Sequence, residues 1–187
     1  EAYDPEHPVG LDVLGAESEG LIGYLLAREV RNRLPDRSVV ALLTQIEVDP
    51  EDPAFGAPDK PVGPRYSRDE GKALAARRGW SVGPDGDGWR RMVPSPRPRA
   101  LVEPHALRTL VAGGSLVICG GGGGIPVIRG PRGLEGAEAV VDKDATAVLL
   151  AREVEAEGLV LLTDVPGVLR DFGTARARLI RRMTVSE

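Results

Sequence analysis

Five consecutive glycines, Gly120–Gly124, directly follow a short apolar run, Leu116–Cys119, in the segment SLVICGGGGGIPVI. The apolar run is typical of a buried strand. Glycine loses more backbone freedom on ordering than any other residue, so this run indicates a need for bare backbone. Bare N–H groups at the carboxyl end of a strand can surround an anion. No Gly-Lys-Ser/Thr follows, and Ile125 stands where a dinucleotide fingerprint needs glycine. We therefore predict an anion cradle of another kind, with a flexible surface loop as the alternative.

Lys143 and Asp144, in the segment VDKDA, form the second candidate site. Both fall in the first turn of a helix predicted over Asp142–Glu157. Acidic residues at that position are usually caps, which is the alternative explanation here. A lysine is less expected, because its charge opposes the positive end of the helix dipole. We therefore predict that Lys143 holds a phosphate and that Asp144 orients Lys143 or another lysine by a charge-assisted hydrogen bond.

Three further positions have side chains suited to chemistry. Thr163 and Asp164 end a predicted strand, Leu159–Thr163, and ligands of parallel α/β sheets bind beyond such strand ends. A turn or a cap explains these two residues equally well. Lys60 lies in a proline-stiffened loop, DKPVGP, where the alternative is a solvated surface lysine. Cys119 is interpreted as a small buried hydrophobic residue and not as a nucleophile.

The bulk composition excludes several classes of protein. The chain has 187 residues, 42% of them apolar, and a formal net charge of −4. Its charge is uneven, because residues 60–100 hold ten Lys/Arg and four Asp/Glu. A basic segment on an acidic body indicates an anionic ligand. The sequence contains no membrane-length apolar run, no nucleic-acid-binding signature and too few His and Cys residues for a zinc site. One cysteine fits a reducing cytoplasm.

The elements that must position these residues alternate between helix and strand. A helix over Ala16–Leu34, with Leu21, Ile22, Leu25, Leu26 and Val30 on one face, precedes a strand over Val39–Val48. Residues 50–104 differ in composition from the rest of the chain, because they hold ten of the sixteen prolines and both tryptophans. We predict this segment to be an inserted lid that carries a helix over Asp69–Arg78, a hairpin and an extended return linker over Pro94–Ala100. A helix from Pro104 to Gly113 and a brief strand at Val140–Val141 complete the pattern. Residues 1–49 and 105–187 are then an α/β core with a mainly parallel sheet.

Seven segments, in this order, resemble carbamate kinases, which belong to the amino-acid kinase superfamily. The combination of TQIEVD, DPAF, KPVGP and GWRRMVPSP is much more specific than a glycine loop. Other members of the superfamily lack this lid sequence. The matching segments are LDVLGAESEGLIGYLL (11–26), TQIEVDPEDPAF (44–55), DKPVGP (59–64), GWRRMVPSP (88–96), VICGGGGGIPVI (117–128), EAVVDKDATAVLLA (138–151) and LLTDVPGV (161–168).

The resemblance implies a three-layer αβα sandwich with an inserted lid, and phosphoryl transfer between ATP and carbamate that gives ADP and carbamoyl phosphate. It also implies a cytoplasmic homodimer that uses Mg-ATP without a dedicated protein metal site. In many organisms such enzymes form ATP at the end of arginine or agmatine breakdown. Neither a nucleic-acid nor a membrane partner is expected.

The resemblance also assigns roles to individual positions. Lys143 is similar to a lysine on the transferring phosphoryl group, and Asp144 to the carboxylate that organises the site lysines. Lys60 is similar to a lid lysine that reaches the substrate. Two further sets of residues are similar to binding residues of the family. The substrate-side loop corresponds to Gly121, Gly122, Gly123 and Gly124, and part of the nucleotide site to Thr163, Asp164 and Val165.

The chain departs from the family pattern at several points. The family's early Gly-Gly-Asn loop, its His-Gly-Asn-Gly segment and a late glycine-flanked lysine are not in this sequence, which begins at Glu1 without a methionine. We interpret the sequence as part of a longer one and do not expect these 187 residues alone to turn over. Two alternatives stay open: a superfamily kinase with another carboxylate or phosphate acceptor, and a noncatalytic nucleotide-binding or dimerising remnant.

Overall fold

The computed structural model describes residues 9–184, so the first eight residues of the predicted core lie outside the described part. Residue contacts divide the chain into two units, 1–157 and 158–187. The first unit contains α1 (Leu11–Arg33), β1 (Val39–Ala41), β2 (Gln45–Val48), β3 (Lys60–Tyr66), α2 (Arg68–Arg78), β4 (Ser81–Asp85), β5 (Gly88–Val93), β6 (Pro98–Leu101), α3 (Pro104–Ala112), β7 (Leu116–Ile118), β8 (Ile125–Gly130), β9 (Gly133–Gly136) and α4 (Lys143–Glu153), and the second contains β10 (Leu169–Arg170) and β11 (Arg178–Leu179).

Two parallel strand pairs form the centre of the first unit. Strand β1 pairs with β7, and β2 pairs with β8. Strands β6 and β9 add antiparallel edges, which gives the order β6-β2-β8-β9. The predicted α/β class is confirmed, although the larger sheet is mixed and not mainly parallel.

The predicted single strand over Val39–Val48 is wrong, because residues 42–44 separate β1 from β2. The buried Thr44 takes local polar partners at this break: its hydroxyl donates to the carbonyl of Leu42, and its amide donates to Glu19. The partner strands break opposite this point, since the glycine run separates β7 from β8. The segments β1–β2 and β7–β8 therefore pass side by side from the two-stranded sheet into the four-stranded one. The glycine loop lies at that crossover.

Apolar residues from β2, β6, α3 and the segment before α4 form the core of this unit. Burying such side chains contributes roughly 25 cal/mol per Å² of apolar surface. The fully enclosed members are Ile46, Val48, Leu101, Leu107, Ala137, Ala139 and Val141.

Residues 60–93 form a separate antiparallel sheet within the first unit. Its strand order is β3-β5-β4, and α2 packs against it. Helix α2 begins with a capping box between Ser67 and Glu70 and ends at Gly79 in the left-handed conformation. The predicted helix and hairpin are thus confirmed. The predicted return linker is partly wrong, since β6 pairs with β2 in the core sheet and so fixes the segment there.

Beyond Leu11, which is buried at its start, helix α1 packs through one glutamate and two small residues and not through its other large apolar ones. Glu19, Gly23 and Ala27 are buried, and a Cβ at Gly23 would lie 3.0 Å from the Cβ of Ala41. The apolar face identified from the sequence points outward instead: Leu21 is 61% exposed and Leu26 is 48% exposed. Small side chains allow the close approach of the helix to β1, which the larger ones would prevent.

Two short predicted strands are absent, and α4 is shorter than predicted. Val140–Val141 forms no strand, and α4 ends at Glu153 and not at Glu157. In the second unit, Leu159–Thr163 also forms no strand. Leu162 is 93% exposed, since within residues 9–184 no strand pairs with this run.

Candidate active site at the glycine loop and the start of α4

The glycine loop packs tightly between β2 and the start of α4. A Cβ at Gly123, where φ is +111°, would lie 2.0 Å from the carbonyl oxygen of Val141. A Cβ at Gly124 would lie 2.6 Å from Cγ1 of Ile46. These contacts and positive φ angles explain why glycine is required at both positions. The glycines therefore bring the loop against the segment that carries Lys143.

Most amides of the loop already have partners inside the protein. Gly120 N donates to the Thr44 hydroxyl at 2.8 Å, and Gly121 N donates to a Glu19 carboxylate oxygen at 3.2 Å. The amides of Gly123 and Gly124 donate to loop carbonyls at 3.0 and 3.3 Å. Within residues 9–184, only Gly122 of the run is exposed with no hydrogen bond from its amide.

These internal hydrogen bonds leave fewer amides for a bound anion than the predicted anion cradle would offer. The carboxylate of Glu19, which is 4% exposed, already occupies the anion position at Gly121 and also accepts the amide of Thr44 at 3.1 Å. The two backbone donors offset part of the cost of burying this carboxylate. The loop therefore offers a bound anion the Gly122 amide, and the rest of its backbone is held by the protein itself.

Sequence reasoning missed the three polar side chains that hold this loop. Besides Glu19 and Thr44, buried Thr146 on α4 donates its hydroxyl to the carbonyl of Gly123 at 2.7 Å. One signal was present in the sequence: Glu19, Gly23 and Ala27 recur every four residues, which marks a narrow packed face of small residues around one carboxylate.

The structure brings Lys60 to the start of α4. Nζ of Lys60 lies 2.8 Å from Oδ2 of Asp142, the residue that caps this helix. Lys143 and Asp144 are the first two residues of the same helix, and both are exposed. The structure thus brings Lys60, which is distant in sequence, to the helix end that carries Lys143 and Asp144.

The lysine-binding carboxylate is not the predicted one. Asp144 makes no side-chain hydrogen bond or ion pair within the described residues, whereas Asp142 holds Lys60. The hydrogen bond from Lys60 and that from the amide of Ala145 keep the pKa of Asp142 below its usual range. Asp142 was interpreted from the sequence only as part of a helix start. The lysine could not be paired with it, because the two are 82 residues apart.

A cavity of about 610 Å³ opens beside the exposed Gly122. Its walls include Ser18 and Gly121 from the core, and Tyr66 and Arg91 from the sheet of residues 60–93. Arg91 also forms an ion pair of 2.6 Å with Glu138, which ties that sheet to the segment before α4. The arrangement provides a partly open space with two arginines, Arg78 and Arg91, near a free backbone amide, and neither Lys60 nor Lys143 is among its lining residues.

Cys119 adjoins the loop but is poorly suited to nucleophilic chemistry. Burial, with a smaller contribution from the charge of Glu19, raises the pKa of the Cys119 thiol to about 11. The thiol is therefore protonated at neutral pH, which fits a packing role.

The predicted nucleotide residues Thr163, Asp164 and Val165 lie in the second unit, and all three are exposed. The amide of Val165 donates to the hydroxyl of Thr163 at 3.4 Å, a turn of the kind that threonine often forms. These contacts by themselves neither assign nor remove a ligand role.

Two other features are absent from residues 9–184. No group of three or more His, Cys, Asp or Glu side chains is arranged to hold a metal ion there. In the same range, no helix has the length and apolar character that crossing a bilayer requires.

Comparison with known proteins decides the family. The model of the amino acid kinase family matches residues 37–187. The chain belongs to the amino acid kinase family. Among curated relatives, it is 45% identical over 186 residues to a carbamate kinase of Escherichia coli K12, covering 100% of this chain and 62% of that protein. It is 47% identical to a carbamate kinase of Pyrococcus horikoshii, covering 95% of this chain and 58% of that one.

A solved structure in this family has a similar fold. Carbamate kinase from Giardia lamblia bound to AMP-PNP matches with a TM-score of 0.79 and 39% identity, covering 95% of this chain and 57% of that one. This amino acid kinase chain therefore spans about three fifths of the length of the relatives it matches.

Proposed function

We propose that the complete protein containing this sequence transfers a phosphoryl group between ATP and carbamate, with ADP and carbamoyl phosphate as the other pair. The chain's similarity to carbamate kinases over its whole length supports this reaction class. The observation that carries the proposal is the contact between Lys60 and Asp142, because Asp142 directly precedes Lys143 in the chain.

The reaction needs charge neutralisation more than covalent help. In the ATP-forming direction, a β-phosphate oxygen of ADP attacks the phosphorus of carbamoyl phosphate. The bond from phosphorus to the carbamate oxygen breaks, and its electron pair leaves on carbamate. The three equatorial oxygens of the transferring group carry negative charge throughout. The ammonium groups of Lys60 and Lys143 are proposed to stabilise that charge, and the free amide of Gly122 adds one donor.

The remaining site residues are proposed in supporting roles. Gly121–Gly124 form the substrate-side loop, and Asp144 orients Lys143. Thr163, Asp164 and Val165 contact the nucleotide. Magnesium enters as Mg-ATP, because this ion prefers phosphate oxygens and water to an all-protein cage.

Residues 50–104 are proposed to act as a lid over the cavity. Their antiparallel sheet supplies Tyr66 and Arg91 to the cavity wall and carries Lys60 to Asp142, whereas the glycine loop and α4 belong to the core. A closed lid excludes water and so favours transfer to carbamate over hydrolysis.

The exposed apolar face of α1 supports a homodimer. Tyr24, Leu21 and Leu26 are 58%, 61% and 48% exposed on a helix of 23 residues. Apolar patches of this kind usually mark protein interfaces, and a second copy would cover this face symmetrically. Leu25→Glu is expected to yield monomers in light scattering, whereas Ala73→Glu at an exposed position of α2 leaves dimers. Dimers in both variants would remove α1 from the interface.

The metabolic setting is proposed from the resemblance alone. The protein would act in the cytoplasm and form ATP at the end of arginine or agmatine breakdown.

Coupled measurement of ATP tests the reaction directly. The complete natural protein, supplied with Mg-ADP and carbamoyl phosphate, is expected to form ATP at rates typical of kinases, about 1–100 per second. Acetyl phosphate in place of carbamoyl phosphate is the matched control. Activity with acetyl phosphate alone would favour another acyl acceptor, and no activity with either would favour a noncatalytic remnant.

A further inference from the structure

Asp142 has two tasks, one for each of its carboxylate oxygens. Oδ1 accepts the backbone amides of Asp144 and Ala145, at 3.0 and 3.1 Å, and so caps α4. Oδ2 accepts the ammonium group of Lys60 at 2.8 Å. One side chain thus joins the helix start that carries Lys143 to the lysine of β3.

Lys60 depends on Asp142 for its orientation. Within residues 9–184, no other carboxylate lies in ion-pair distance of the Lys60 ammonium. A free lysine side chain samples many rotamers, and ordering one costs about 2 kcal/mol of conformational entropy. The ammonium groups of Lys60 and Lys143 at this helix end also repel each other, and the carboxylate of Asp142 reduces that repulsion.

This ion pair contributes little to the stability of the fold. The two side chains are 42% and 44% exposed, and pairs of that kind contribute about 0–1 kcal/mol. Placement of a reacting group is far more sensitive, since a misplacement of about 1 Å can cost roughly a hundredfold in rate. The ion pair therefore affects the position of the Lys60 ammonium group more than the stability of the fold.

We propose that Asp142 is a positioning residue that holds Lys60 beside Lys143, so that both ammonium groups face the same phosphoryl group. This inference rests on the proposed function. It assigns the binding of the lid lysine to the capping residue of α4 and not to Asp144.

Asparagine separates the two tasks of Asp142. Asp142→Asn keeps a carbonyl oxygen for the amides of α4, because asparagine caps helices as well as aspartate does. It also places an NH₂ donor against Lys60 and removes the charge. We expect unfolding in urea close to that of wild type, and a kcat for ATP formation lower by about tenfold to a hundredfold.

Asp49→Asn is a matched control. Asp49 also accepts a backbone amide with one oxygen, from Glu51 at 3.0 Å, and an arginine with the other, Arg99 at 3.2 Å. Its side chain is 42% exposed, close to the 44% of Asp142. Because this pair touches none of the proposed site residues, Asp49→Asn is expected to keep the wild-type kcat.

A double variant tests whether Asp142 acts through Lys60. If it does, Lys60→Met combined with Asp142→Asn should have the kcat of Lys60→Met alone, within about twofold. A merely structural cap would instead give multiplied losses. Multiplied losses, or a kcat within about twofold of wild type for Asp142→Asn in an active enzyme, would overturn the inference.

Labelling of Lys60 distinguishes this inference from the proposed function. An acetylating reagent, with the products quantified by peptide mass spectrometry, should modify Lys60 about twofold to fivefold faster in Asp142→Asn than in wild type. Asp49→Asn should leave the labelling rate unchanged. Should the wild type form no ATP, the proposed function fails while this readout still decides the contact. Equal labelling in all three proteins would show that Asp142 does not hold Lys60.

Discussion

Replacing Gly123 by alanine tests how tightly the glycine loop controls the start of α4. The new Cβ would lie 2.0 Å from the carbonyl oxygen of Val141 and 3.5 Å from the amide nitrogen of Lys143. Real Cβ contacts essentially never fall below 3.0 Å, so the loop or the start of α4 must move by about 1 Å. Backbone atoms must make this movement, and they shift less readily than the end of a flexible side chain.

The magnitude follows from two costs. Alanine with a left-handed backbone costs about 1–2 kcal/mol, and overpacking costs about 1–3 kcal/mol more. Gly123→Ala should therefore lower the free energy of unfolding by about 2–5 kcal/mol. Gly122 also has a positive φ, +70°, but a Cβ there meets nothing within 4 Å. Gly122→Ala should incur only the first cost and so lower the free energy of unfolding by about 1–2 kcal/mol.

Urea unfolding of both variants, followed by circular dichroism, measures the difference. We expect Gly123→Ala to be less stable than Gly122→Ala by about 1–3 kcal/mol. Hydrogen exchange at the first amides of α4 should also be faster in Gly123→Ala alone. Equal losses of stability in the two variants would refute the close packing of the loop against Val141.

Three further predictions concern the buried and capping side chains. Glu19→Gln should lower the free energy of unfolding by about 1–3 kcal/mol in urea, because one of the two amides that the carboxylate accepts would face an NH₂ donor; an unchanged midpoint would contradict the buried network. Cys119 should resist iodoacetamide at pH 8 and react only near its raised pKa of about 11, as followed by mass spectrometry; rapid alkylation of the folded protein at pH 8 would contradict its burial. The pKa of Asp142 is lower in the folded protein than its ordinary value of 3.8, chiefly through the hydrogen bond from Lys60, so its contribution is present above that value and lost as the pH falls through the folded value. The difference in unfolding free energy between wild type and Asp142→Ala, which removes the helix cap as well as the ion pair, should thus be constant from pH 7 down to about 4 and shrink below that; a constant difference at lower pH would contradict the contact.

Local sequence signals predicted the four helices and the hairpin, but not all of their bounds, since α1 begins at Leu11 and not at Ala16, and α4 ends at Glu153 and not at Glu157. Pro104 marks the first turn of α3 and Gly113 follows its end, because proline and glycine act on their immediate neighbours. The strand over Val39–Val48 was mispredicted for a nonlocal reason. An apolar run does not show where a chain passes from one sheet to another, and this break depends on Glu19, which is 25 residues from Thr44.

The candidate site was predictable in its parts but not in its contacts. The sequence identified Lys60, Lys143 and the glycine run by residue type, and the resemblance supplied their roles. It could not show that Glu19 fills the anion position of the loop, because a carboxylate on a helix is usually solvated. Nor could it show that Lys60 pairs with Asp142, since that pairing depends on how the sheet of residues 60–93 meets α4.

The most direct test of the account is the rate of ATP formation from carbamoyl phosphate and Mg-ADP in Lys143→Ala, measured in the complete protein beside Lys72→Ala. Lys72 is an exposed lysine on α2, so its removal alters the charge equally without touching the proposed site. The account predicts that Lys143→Ala lowers kcat by at least about a hundredfold with little change in stability, whereas Lys72→Ala keeps the wild-type rate. A wild-type rate in Lys143→Ala would contradict the claim that the lysines at the start of α4 act on the transferring phosphoryl group.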